Sequence, residues 1–220
     1  MKRVREPITI ENIIKTHAER RLEIRQRLDE FAAIRAFGSD RVLWEEMVFC
    51  FFTGGCSARM GLNSLEAVKP ILMDGDQVQM ATALSGVHRY PNARARYVIA
   101  SREFLREHCD LKLRNKLHGF DCATARRDWL VQEKGIKGLG YKEASHYLRN
   151  IGFTGYAILD KHVLNCLVEL KIIDAPKPPN TRAMYLRVED KLRELTRMTK
   201  IDFDELDLVL WSMKTGVILK

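Results

Sequence analysis

The chain has 220 residues, 46% hydrophobic and 30% charged, a composition that suits a folded globular protein with a full core in one domain or two small ones. A formal net charge of +8 and a pI of about 9.3 favour a polyanionic partner. No apolar run reaches the roughly 18 residues of a membrane span. The opening Met-Lys-Arg-Val-Arg-Glu-Pro lacks the apolar core of a signal peptide. Five cysteines (Cys50, Cys56, Cys109, Cys122, Cys166) with no C-x-x-C argue against a disulfide framework and for a reducing, intracellular compartment.

Residues 9–37 read as a long amphipathic helix. Thr9 is its cap, Ile10, Ile13, Ile14, Leu22, Leu28 and Phe31 its apolar positions, and Gly38 its stop. Residues 40–53 are apolar on nearly every side, from Val42, Leu43 and Trp44 to Phe51 and Phe52, so that helix belongs in a core. It ends at Thr53-Gly54-Gly55. Ser57 then reads as a helix cap and Arg59 as an exposed base. Asn63 and Glu66 make a capping-box pattern, with a break near Lys69 before Pro70. A short helix follows over 76–84. Asn92 is the expected cap of a helix over 93–107, whose Arg94, Arg96, Arg102 and Arg106 read first as a solvated face and second as a track for DNA. Residues 110–117 make another short basic helix.

The stretch from Gly135 to Asp160 carries the most information. A helical pattern around Asp128, Trp129, Leu130 and Val131 stops near Gly135. A second, marked by Ala144, Tyr147, Leu148 and Ile151, closes at Gly152. Between them lies K-G-L-G-Y-K, so Gly138 and Gly140 form a tight turn between two helices. Free N–H groups at the start of the second helix suit a phosphate. Lys142 sits beside that turn, and an amine there can act as a nucleophile. Asp160 follows eighteen residues later, either as a carboxylate able to steady a cation or move a proton, or as the cap of the next helix. Beyond it come a helix over 161–170, the linker Ala175-Pro176-Lys177-Pro178-Pro179, a helix over 181–198, and a last helix. That last helix opens with Asp202 and Glu205 as a capping box and Ile201 and Leu206 as a hydrophobic staple, and Gly216 stops it. No strand pattern and no internal repeat is evident, so the fold is expected to be all-α.

These residues bear a resemblance. K-G-L-G-Y-K-E-A-S-H-Y-L-R-N followed by A-I-L-D-K-H-V-L resembles the helix-hairpin-helix motif, with its glycine-rich loop and following Asp, of the DNA glycosylase superfamily. The likeness is closer to one branch, the archaeal-type, second family of 8-oxoguanine DNA glycosylase/AP lyases. The fragments F-C-F-F-T and V-H-R-Y-P-N-A-R-A-R-Y-V-I, and the final lysine, extend it over about residues 40–220. It implies two helical subdomains with the active cleft between them, one over about 42–152 with the hairpin at about 124–151, the other joining about 1–41 to 153–220. It implies a bifunctional enzyme that flips 8-oxoguanine out of duplex DNA, excises it, and cleaves the strand by β-elimination through a lysine Schiff base.

In that family's terms Lys142 is the nucleophile and Asp160 the carboxylate that steadies charge on the sugar. The terminal carboxylate of Lys220 and the face of Trp211 recognise the base. Ser57, Arg59, Gly138, Gly140 and Tyr141 meet DNA, with Ser57 and Arg59 in a loop that helps fill the space left by the flipped base. No cofactor is required, although carbonyls near Ile136 and Leu139 are implied to hold a monovalent cation. Only Cys166 follows Asp160, so a four-cysteine iron–sulfur cluster like that of other branches is not expected. The expected partner is double-stranded DNA, bound by a monomer. Two alternatives remain from the residues themselves: a glycosylase for other oxidised bases, and a helix-hairpin-helix module that binds DNA without catalysis.

Overall fold

The computed structural model describes residues 7–219. Among them are eleven α-helices and no strand, as the hydrophobic pattern requires. The chain divides into two compact units. One is Ala33–Ile151, and the other takes the chain up to Ala32 and from Gly152 onward.

The Ala33–Ile151 unit is built around α2 (Asp40–Thr53), packed by α3 (Ala58–Val68), α5 (Pro91–Cys109), α6 (Leu113–His118) and α8 (Tyr141–Asn150). The all-round apolar sequence of α2 has this cause. Leu43, Trp44, Met47, Val48, Phe49, Phe51 and Phe52 are all buried, each side chain contributing roughly 1.5–3 kcal/mol of burial energy. A 3-10 turn at Lys69–Ile71, α4 (Gln77–Leu84) and α7 (Ala123–Gln132) complete the unit. Asp76 and Gln79 cap α4 reciprocally.

Three local expectations fail here. Asn63 lies inside α3, whose cap is Ser57, accepting from the Met60 N–H at 3.2 Å. Asn92 does not cap α5. The helix starts one residue earlier on Pro91, whose fixed φ and missing N–H suit a first helical position. The arginines of α5 are mostly not a solvated face. Arg94 donates to the Gly54 carbonyl, Arg102 is buried and donates to the Leu72 carbonyl at 3.2 Å, and Arg106 donates to the Met73 carbonyl. Each closes the end of a loop whose backbone has no helical partner, a need that charge patterning does not reveal. Arg96 alone of the four is exposed.

The other unit contains most of α1 (Ile10–Phe37), with α9 (Lys161–Glu169), α10 (Arg182–Thr199) and α11 (Phe203–Thr215). Thr9 caps α1 through the Asn12 N–H. Its buried positions are Ile13, Ile24 and Phe31, whereas Leu22 is 86% exposed. The apolar count along α1 therefore overstated its buried face. Asp202 caps α11 as expected, but Glu205 does not complete the box. Its carboxylate turns instead to α1, where Oε1 accepts from Arg25 Nε at 3.2 Å and Oε2 meets His17 Nε2. Ile201 and Leu206 are both buried.

Candidate active site

In the hairpin, α7 ends at Gln132 and α8 begins at Tyr141, so the turn is residues 133–140. Three contacts seat that turn on one face of α5. Gly135 lies against Phe104 so tightly that a Cβ there would be 2.1 Å from the ring. The Lys137 N–H donates to the buried Ser101 hydroxyl at 2.8 Å. Gly138, at φ +81°, lies on Tyr97, where a Cβ would be 2.5 Å from a ring carbon. The same face continues to Arg94, whose guanidinium lies 5.3 Å from the Tyr97 ring centroid and donates to the Gly54 carbonyl. One helix thus registers the hairpin turn against the α2–α3 loop.

Gly140 is the N-cap of α8 and has no side chain to satisfy the first N–H groups of the helix. Tyr141, Lys142 and Glu143 are the first three helical residues. Tyr141 donates its hydroxyl to Asp128 on α7 at 3.0 Å, with Arg127 over its ring at 5.8 Å. Its side chain therefore ties the two hairpin helices together. The Lys142 amine lies 3.5 Å from Glu143 Oε1, with the two side chains 26% and 18% exposed. Ile136 and Leu139 lie in the turn and are both buried. Ser57 spends its hydroxyl on capping α3, and Arg59 is exposed.

His88 anchors the entry to α5. Its Nε2 donates to the Phe52 carbonyl at 3.0 Å and its Nδ1 accepts from the Tyr90 N–H at 2.9 Å, which fixes a neutral tautomer. Burial holds its pKa below the ordinary histidine value, and Arg94 pushes the same way while the bond to Phe52 opposes it.

In the other unit, residues 153–160 have no regular structure, yet Phe153, Tyr156, Ala157, Ile158 and Leu159 are buried. The sequence pattern left this brace unmarked. The Tyr185 hydroxyl donates to the Ala157 carbonyl at 2.7 Å and accepts from the Leu159 N–H at 3.4 Å. Arg193 donates to the Gly155 carbonyl at 2.8 Å, and the Gly155 N–H donates to Asp204 at 2.7 Å. The segment delivers Asp160 to the start of α9. There its Oδ1 accepts from both the His162 and Val163 N–H groups at 2.8 Å. Its Oδ2 takes no hydrogen bond among the described residues. Trp211 is half-buried on α11, edge-on to His162 with ring centroids 6.2 Å apart. Lys220 lies outside the described residues.

Of the five cysteines, Cys50 and Cys166 are buried. Burial pushes the Cys166 thiol up to about 12, and its sulfur sits 3.6 Å from the Leu210 carbonyl. Among the described residues no group of three His, Cys, Asp or Glu side chains is placed to hold a metal ion.

Known proteins share this fold. The family model described as 8-oxoguanine DNA glycosylase matches residues 24–201. An 8-oxoguanine DNA glycosylase/AP lyase of Korarchaeum cryptofilum is 39% identical over 198 residues, covering 90% of each chain. The Methanocaldococcus jannaschii 8-oxoguanine glycosylase/lyase, solved with a 15mer DNA containing 8-oxoguanine, superposes with a TM-score of 0.84 at 30% identity, covering 94% of this chain and 99% of its own. The 8-oxoguanine DNA glycosylase of Thermotoga maritima superposes at 0.86 with 31% identity, covering 96% and 98%. By the match of the family model and these relatives, the chain belongs to the 8-oxoguanine DNA glycosylase family.

Proposed function

We infer that this protein is a bifunctional 8-oxoguanine DNA glycosylase and AP lyase acting on double-stranded DNA. A base within a duplex is out of reach of a side chain, so the nucleotide must leave the stack. The basic surface and the uncapped start of α8 supply phosphate contacts that read no sequence. Gly138, Gly140 and the Tyr141 backbone are assigned to that contact. A monovalent cation held by the Ile136 and Leu139 carbonyls would add to it by bridging protein and phosphate. Ser57 and Arg59 are assigned to the space left by the base, and Trp211 and Lys220 to the base itself.

The observation that carries the reading is the amine of Lys142 at the junction of the glycine turn and α8. In the proposed reaction the amine attacks C1′ of the deoxyribose, and the base leaves with the electrons of its bond to the sugar. Ring opening gives a Schiff base. Loss of a C2′ proton then expels the 3′ phosphate by β-elimination. Positive charge grows on the sugar as the base departs, and the carboxylate of Asp160 is assigned to oppose it.

The test is to mix the protein with an 8-oxoguanine duplex in the presence of borohydride, which reduces a Schiff base to a stable amine. The wild-type protein should give a covalent complex. Lys142→Gln should give neither complex nor strand cleavage while still binding the damaged duplex. Full trapping by the variant would remove Lys142 from its role.

A further inference from the structure

Adjacent residues on an α-helix point about 100° apart, so neighbouring side chains do not normally face each other. Lys142 and Glu143 do meet, with Nζ 3.5 Å from Oε1, and both are largely buried. The other oxygen, Oε2, reaches back over the start of the helix, where a Cβ on Gly140 would lie 3.2 Å from it. The charged groups nearby are engaged elsewhere. From α7, Asp128 accepts from Tyr141, while Arg127 donates to Ser145 at 3.1 Å. From α2, Glu46 accepts from Asn150 at 3.2 Å. His146, one turn along from Lys142, lies edge-on to Phe49. Within its unit, Glu143 is the carboxylate paired with the amine.

We propose that Glu143 positions Lys142 and takes the proton that its ammonium must lose before attack. The proposal rests on Lys142 being the nucleophile. It also separates two tasks that one carboxylate performs badly together. A carboxylate that accepts the lysine proton becomes neutral, yet the charge on the sugar calls for an anion. With Glu143 as acceptor, Asp160 is not called on to take that proton.

The steps balance. A proton passes from Nζ to Oε1, leaving an amine and a carboxylic acid. The freed lone pair forms the N–C1′ bond as the N9–C1′ pair departs with the base. The proton on Glu143 goes to the base anion, which restores the carboxylate. A second Nζ proton accompanies O4′ as the ring opens, leaving a protonated Schiff base.

Glu143→Gln keeps the size and hydrogen bonding of the side chain and removes its basicity. Single-turnover excision of 8-oxoguanine by this variant should fall by about 10²-fold near neutral pH, the usual scale for loss of a general base. Duplex affinity should be unchanged, and the rate should recover as the pH rises, because solvent then removes the proton. The borohydride-trapped complex should still form, only more slowly. An excision rate equal to or above wild type across the pH range would overturn the proposal, as would a loss that is the same at every pH. If Lys142→Gln itself traps fully, the assignment of the nucleophile fails instead, so the two failures are distinguishable.

Discussion

At the residue scale, the cap geometry of Asp160 is compatible with the chemical role proposed for it. Both cap hydrogen bonds go to Oδ1 at 2.8 Å, leaving Oδ2 uncommitted among the described residues. The two readings that the sequence offered for this residue therefore do not compete. Asparagine can also cap a helix through its carbonyl oxygen, so Asp160→Asn should change stability by no more than about 0.5 kcal/mol. It removes the negative charge, and excision should fall by about 10²-fold with duplex affinity nearly intact. Urea unfolding and single-turnover excision on the same sample check both halves. A variant that melts early yet excises normally would leave Asp160 with the cap alone. Glu205 teaches the opposite lesson. Its spacing from Asp202 fits a cap, but its partners lie on α1, and no local rule registers a contact 188 residues away in the chain.

At the element scale, α5 is the helix that seats the hairpin turn. Arg94, Tyr97, Ser101 and Phe104 recur at helical spacing and hold, in order, the α2–α3 loop and then the hairpin turn. The sequence marked the hairpin clearly because glycines and a lysine in that order are chemically unusual. It read the arginines of α5 as a solvated face because an arginine on a helix looks like surface until a facing backbone is supplied. It also treated Gly138 and Gly140 alike, and the structure separates them. Gly138 has a left-handed φ and is pressed on Tyr97, whereas Gly140 has φ −87° and only the mobile end of Glu143 beside it. Gly138→Ala should destabilise the protein by about 2 kcal/mol or more, since a strained backbone alone costs about 1–3 kcal/mol. Gly140→Ala should cost well under that. Thermal unfolding of the pair decides it, and equal melting temperatures would contradict the seating of the turn on α5.

At the scale of the whole molecule, helix number and order were legible because hydrophobic periodicity and punctuation are local signals. The buried irregular segment 153–159 was not, because it has no period and draws its partners from Tyr185 and Arg193 on a later helix. Stability also has a global pH signature. The folded pKa of His88 lies below the ordinary 6.5, chiefly through burial, so the unfolded chain binds the proton more readily. The stability that this residue contributes is present above the unfolded value and is lost as the pH falls through the folded one. His88→Gln retains an N–H donor for the Phe52 carbonyl but does not titrate. Its unfolding free energy should therefore decline less than that of the wild type between about pH 7 and pH 5. Parallel declines in urea titrations would show that His88 is not the group responsible.

The division of the chain has a consequence during synthesis. The Ala33–Ile151 unit is one unbroken stretch, whereas the other begins with α1 and is completed only after Gly152. A ribosome therefore releases all of the Ala33–Ile151 unit before the other one has its parts. The hairpin and its lysine can be folded while Ile13 and Ile24 of α1 still wait for a core to enter. Glu205, which pairs with His17 and Arg25, emerges later still. The nascent protein acquires its hairpin early and its capping aspartate late, so the two residues assigned to the chemistry mature at different times.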